Sequence, residues 1–251
     1  MAHDIASING RDASMSANGI TPWHKLGTVL PHAPTAAEAM HAANLDWHVN
    51  KVPACHIGND GIVREVDGAF ALVRDCDNYG LGVVGSVYKV VQNEDAFDFV
   101  DSLIGSGEVK YETAGALNGG RKIWLMARMT EADIVLPGDD RVIPYLLFTN
   151  THDGSESVDV RLCTTRVVCA NTLAMALREG KAHYRIQHRG DVRGKMETAR
   201  EVLGMARNRV AQIGDMFNLL ADTPMSDEVF GFVLNGLVGI DGDAKPTTRA
   251  L

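Results

Sequence analysis

A chain of 251 residues, 45% hydrophobic and 22% charged, has an ordinary globular composition and the length to bury a core as one large domain or two small ones. Its formal net charge of −8 excludes a protein that coats nucleic acid through its overall field, and leaves room for a local basic groove. No run approaches the roughly eighteen consecutive apolar residues of a membrane helix. The N-terminal MAHDIASINGRDASMS has no signal-peptide pattern, and the four cysteines lack CxxC spacing, so free thiols in a reducing cytoplasm are expected.

Residues 1–22 are small and polar, the composition of a flexible arm that is ordered only where a neighbour holds it. Trp23-His24-Lys25-Leu26-Gly27 follows as a compact apolar knot. Thr35 and Glu38 stand at capping-box spacing before an Ala-rich helix from Ala36 to Leu45. Trp47, Val49 and Val52 alternate with polar positions and start a strand. The turn Gly58-Asn59-Asp60-Gly61 separates strands at 54–57 and 62–65, and Asp77-Asn78-Tyr79-Gly80 separates strands at 69–74 and 83–91. At Gln92-Asn93-Glu94 the period changes. Ala96, Phe97, Val100, Leu103 and Ile104 fall on one helical face, with Asn93 as N-cap. Asn118-Gly119-Gly120 between 109–117 and 122–129 is a hairpin signal. Residues 133–141 read as a loop or short edge segment.

Residues 143–179 form the most informative stretch. It reads as a strand at 144–150, a polar turn His152-Asp153-Gly154-Ser155, a return strand at 158–164 and a helix beginning near Ala170. A short strand at 183–188 precedes the longest helical pattern, 192–221, and Thr223-Pro224 separates this from a final helix at 226–238. Residues 239–251 are polar with no closing element, which points to a native chain that continues. The expected division is an arm at 1–22, a core at 23–222, and a short helix with a polar tail at 223–251. The expected fold is α+β, with helices packed on one face of an antiparallel sheet of hairpins.

Charge is unevenly spread. Lys181, Arg185, Arg189, Arg193, Lys195, Arg200, Arg207 and Arg209 are opposed within their span by Asp191, Glu197 and Glu201 alone, whereas 215–243 is acidic. That asymmetry suits either a polyanion site or a solvated helix face. Nine histidines show neither HxH spacing nor an i, i+4 pair beside a glutamate, so no metal site is expected. His152-Asp153-Gly154-Ser155 contains triad letters without a nucleophile elbow and is more simply a reversal, and phosphate-cradling glycine motifs are missing. Nucleic-acid binding has more support. Arg121 and Lys122 follow a glycine pair, Lys110 and Tyr111 lie on the partner strand, and Arg161 and Arg166 bracket the exit of the second hairpin. The aromatic residues Tyr88, Tyr111, Trp124, Tyr145 and Tyr184 are interleaved with these cations, as stacking on bases requires, although core packing accounts for Trp124 and Tyr145 as well.

Four segments carry a specific resemblance: Val91-Gln92-Asn93-Glu94 with Ala96-Phe97, Ala114 to Arg121, the run NTHDGS at 150–155, and Arg166 to Leu173. Together with the Trp23–Gly27 knot they resemble the phage/plasmid-like protein family, a domain of unknown function found in phages, plasmids and bacterial genomes. The order of hairpins and the helix Asn171 to Arg178 is also similar to the β-β-β-α core of single-strand annealing proteins. These include the phage Redβ and RecT recombinases and the eukaryotic Rad-type annealing protein. That second resemblance implies a ring or filament holding single-stranded DNA in a basic groove. The annealing helix bears successive basic residues, whereas here Arg178 alone matches, beside Ala174 and Met175.

The sequence therefore leads to a single-stranded DNA-binding homo-oligomer in the cytoplasm of a bacterial host, with no cofactor and no membrane partner. Its binding set is Arg161, Arg166, Arg178, Arg121, Lys122, Lys110 and Tyr111. Two alternatives stand beside it: an enzyme of nucleic-acid metabolism acting near Glu112, Asp153 and Asp159, and a phage structural or host-interaction oligomer.

Overall fold

The computed structural model describes residues 3–104, 109–130, 133–136, 139–179, 184–203 and 206–238. The strands β1 (Ser7–Ile8) and β2 (Arg11–Asp12) form a small hairpin and lead into β3 (Ser14–Ser16), after which come β4 (Thr28–Val29) and α1 (Ala36–Ala42). A three-stranded antiparallel sheet follows, in the order β5 (Val49–Ile57), β6 (Val63–Arg74), β7 (Gly80–Gly85). Next are α2 (Asn93–Ile104), β8 (Val109–Leu117), a 3-10 turn at Asn118–Gly120, β9 (Lys122–Met129), and the short pair β10 (Ile134–Val135) and β11 (Arg141–Val142). The chain continues through β12 (Tyr145–Thr151), β13 (Val158–Cys163), α3 (Ala170–Arg178), β14 (Tyr184–Ile186), α4 (Val192–Leu203), α5 (Ala206–Asp222) and α6 (Asp227–Val238). The main sheet has seven strands in the order β14-β13-β12-β9-β8-β3-β4, antiparallel except for the parallel pair β3–β4.

The α+β class expected from the sequence is present, but helices cover both faces of this sheet. Side chains alternate across a strand. On β9, Ile123, Leu125 and Ala127 join the core shared with α1, α2 and α4, while Trp124 and Met126 join a second core with Leu173 and Ala176 of α3. Packing helices on one face only would have left Trp124, Met126 and Leu147 in water, at about 1.5–3 kcal/mol each. Burial on both faces also explains the unbroken apolar runs 123–127 of β9 and 145–148 of β12, which show no polar alternation.

The N-terminus is not a free arm. Ser14, Met15 and Ser16 pair with Gly115, Ala114 and Thr113, so β3 covers the edge of β8, and Ile8, Ala13 and Met15 are buried. Small side chains, which suggested an arm by composition, are what this crowded edge admits. The Trp23 knot is also revised. Trp23 is 61% exposed, and His24 Nε2 contacts the Val168 carbonyl at 2.9 Å.

Local signals otherwise account for the element ends. Thr35 and Glu38 form the expected capping box, with Glu38 N–H donating to Thr35 Oγ1 at 3.3 Å and Thr35 N–H to Glu38 Oε2 at 2.9 Å. Asn93 is not the cap of α2. The Gln92 N–H donates to Asp95 Oδ2, and the Asn93 amide is buried in a tertiary contact. The helix expected at 192–221 is helical throughout its described residues, as α4 and α5. Where a strand to Val91 was expected, β7 ends at Gly85. The three-stranded sheet closes tightly on the β12–β13 turn: a Cβ at Gly82 would lie 2.6 Å from Asp153 Cα, so only glycine permits this approach.

Candidate nucleic-acid interface

Strand periodicity places Asp159 and Arg161 on the same face of β13, towards α3. Arg161 Nε donates to Asp159 Oδ1 and Nη2 to Asp159 Oδ2, both at 2.7 Å, and Nη1 donates to the Leu177 carbonyl at 2.7 Å. Arg161 is 5% exposed. It therefore joins strand to helix by satisfying a carbonyl in the last turn of α3, where a cation is favoured. The loop after β13 carries Arg166, whose Nε donates to Glu112 Oε1 at 2.6 Å and whose Nη2 donates to Ser16 Oγ at 2.7 Å. A bulge between Tyr111 and Thr113 places Glu112 there. Drawing either arginine onto a phosphate would strand a buried carboxylate, a cost of about 3–5 kcal/mol. These two are structural ion pairs.

The remaining expected residues do not form one groove. Arg121 Nε donates to the Leu81 carbonyl at 2.9 Å, and its guanidinium lies 5.9 Å from the Tyr79 ring. Lys122 Nζ donates to both oxygens of Glu156, at 2.8 and 3.0 Å. Lys110 is exposed, but β8 and β9 are antiparallel with Leu117 opposite Lys122 and Lys110 opposite Arg128. Lys110 and Lys122 thus mark opposite ends of the hairpin, about 20–25 Å apart at 3.3 Å per residue. Tyr111 is wholly buried, its hydroxyl donating to the Phe97 carbonyl at 3.0 Å, so it has no free face for a base. Trp124 and Tyr145 are core residues, and Tyr88 stacks on His188 at 4.7 Å.

What the fold brings together is Arg161, Arg178 and Arg185. Arg178 follows Leu177, whose carbonyl Arg161 holds, and is exposed. Arg185 of β14 is registered opposite Asp159, 66% exposed, and reaches its Oδ2 at 3.5 Å. At the open end of the seven-stranded sheet Arg185 therefore reaches a buried ion pair, and the exposed Arg178 ends α3 beside Glu179, whose carboxylate accepts from the Thr164 and Thr165 N–H groups. The link from Arg185 to Arg161 escaped sequence reasoning. The short strand holding Arg185 was visible, but its pairing with β13 was not.

The motifs at 91–97 and 150–155 meet at a second centre. His152 Nε2 contacts Asn93 Oδ1 at 2.9 Å; Asn93 Nδ2 donates to the Leu45 and Trp47 carbonyls; Asn150 Nδ2 donates to the Val91 carbonyl; and the Gln92 amide bonds both backbone groups of Val49. His152 is fully buried against Trp47, and desolvation holds its pKa down at about 3, so the ring is neutral. The polar turn after β12 is a junction between sheets. The carboxylates of the enzyme alternative are committed elsewhere and apart: Glu112 to Arg166, Asp159 to Arg161, and Asp153 to Ser155. Among the described residues no group of three or more His, Cys, Asp or Glu side chains is placed to hold a metal. No described helix is long and apolar enough to cross a membrane.

The fold and this site define an α+β protein with a basic sheet edge. A sequence model for a domain of unknown function, DUF932, matches residues 80–249, and the chain belongs to that family. The matched span contains both the junction motifs and the basic edge, and begins after the Trp23–Gly27 segment. No curated protein and no solved structure matches the chain.

Proposed function

We propose that this chain is a phage- or plasmid-encoded single-stranded DNA-binding protein of the bacterial cytoplasm that assembles with copies of itself, as a ring or filament, and promotes annealing. The observation that carries the reading is two exposed arginines linked to the Arg161–Asp159 pair at a sheet edge, Arg185 through its contact with Asp159 and Arg178 through its chain neighbour Leu177. Two cations held by a rigid strand and helix engage successive phosphates without a catalytic residue, and repetition through an oligomer multiplies the contact despite the net charge of −8. The order β12, β13, α3 resembles the annealing-protein core, which supports the same reading.

Fluorescence anisotropy with a labelled single-stranded oligonucleotide tests it. Affinity is expected to fall steeply with salt, and Arg178→Ala and Arg185→Ala each to reduce the salt slope by about one. Arg161→Ala is expected to lower folding stability instead, by about 3 kcal/mol or more. A flat salt response, or wild-type slopes in both surface variants, overturns the proposal. The uncovered apolar side chains of α5 and α6 favour a second reading, an oligomer that binds protein. Pull-downs that recover a protein partner and no nucleic acid would select it.

A further inference from the structure

Helix α6 is apolar around much of its circumference and uncovered. Val229, Phe230 and Phe232 are exposed, Phe232 by 80%, and Leu234 by 41%. At 100° per residue these four span more than half the helix, a pattern that belongs to a buried helix. Its first turn carries Asp227 and Glu228, and Asp222 ends α5, all three exposed. The segment is thus an apolar rod with an acidic head.

A cleft of the opposite character lies beside the β12–β13 turn. It encloses about 470 Å³ and is walled by Val83, Val84, Val87 and Tyr88 against Gly154 and His188. Val83 and Val87 are 65% and 69% exposed, so one wall is apolar and uncovered, and Ser155, Glu156, Ser157 and Gln187 make the facing side polar. Arg189 lines it, Lys195 Nζ donates to the Arg189 carbonyl at 3.0 Å, and Glu156, the carboxylate of the lining, is already held by Lys122.

We infer that this cleft receives helix α6 of a second copy of the same chain, Phe230 and Phe232 entering between the valines while Asp227 and Glu228 meet Arg189 and Lys195. Charge complementarity selects the occupant. An apolar rod alone would suit many partners, but an acidic head beside it matches an apolar cleft wall on the same molecule with Arg189 in the lining and Lys195 next to it. The contact joins two different surfaces, so it closes as a two-fold pair when exchanged reciprocally and propagates head to tail into a ring or a filament when it is not. Arg178 and Arg185 lie outside the cleft lining and stay available to DNA. The inference rests on the self-assembly part of the proposed function and is independent of DNA binding.

Sedimentation of the full chain without DNA tests it. The wild type is expected to self-associate, and Arg189→Glu to weaken that association by about tenfold or more through like-charge contact. Combining Arg189→Glu and Lys195→Glu with Asp227→Lys and Glu228→Lys is expected to restore it. Phe230→Ser with Phe232→Ser is expected to give monomers whose circular dichroism matches the wild type. A monomeric wild type, association indifferent to Arg189→Glu, or no recovery in the fully charge-reversed quadruple variant overturns the inference. Oligonucleotide binding by the Phe230→Ser, Phe232→Ser monomer separates the two proposals, because loss of assembly with DNA binding retained leaves the DNA site intact.

Discussion

His152 is the residue on which the sheets converge, and its chemistry gives the molecule a pH dependence. The folded ring has its pKa held down at about 3, against about 6.5 in an unfolded chain. Between those values the unfolded state binds a proton that the folded state refuses. The stabilisation is complete above pH about 6.5 and is lost as pH falls towards 3, by about 1.4 kcal/mol per unit from this residue. His188, lowered by burial as well, adds in the same direction. Urea midpoints measured from pH 7.5 to 4.5 should fall steadily, and His152→Gln should flatten that fall while lowering the midpoint at pH 7.5. A pH-independent midpoint in the wild type would refute the assignment. Residue identity was legible here and role was not. NTHDGS reads as a turn with triad letters, and only the arrival of Asn93, 59 positions away, makes His152 a buried hinge pin. The same limit applies to the arginines. Asp159 stands two residues from Arg161 and could be paired by strand periodicity, whereas Glu112 lies 54 residues from Arg166.

At the scale of elements, hairpins and helix starts follow local chemistry, and their ends follow packing. Thr35 and Glu38 cap α1 because both partners lie within one turn. The strand expected to reach Val91 stops at Gly85, so that Tyr88 can turn inwards and donate to the Thr151 carbonyl. Gly82 shows how closely two elements are fitted. A methyl there would meet Asp153 Cα at 2.6 Å and its carbonyl oxygen at 2.8 Å, both backbone atoms. Gly82→Ala should therefore part β7 from the β12–β13 turn and cost roughly 1–3 kcal/mol. Gly85→Ala, with nothing within 4 Å, serves as the control. Equal unfolding midpoints for the two variants would show the contact to be loose.

For the whole molecule, the N-terminal segment decides whether the sheet has a raw edge. Residues 14–16 pair with β8, and Ser16 Oγ accepts from Arg166, which links the first strand to the loop before α3. Deleting residues 1–17 should expose the edge of β8, lower the thermal midpoint and promote aggregation detectable by light scattering. An unchanged midpoint with no scattering would restore the flexible-arm reading. By itself the sequence determined the α+β class, the two principal hairpins, the capping of α1 and the charge asymmetry, because each rests on residues a few positions apart. Only the tertiary structure decided that helices cover both faces, that Arg161 and Arg166 are internal ion pairs, and that Arg178 and Arg185 are exposed cations among the described residues of the basic edge. Those outcomes depend on which distant carboxylate, carbonyl or strand a side chain meets. A buried charge takes the partner that the fold supplies, whatever its sequence neighbours suggest.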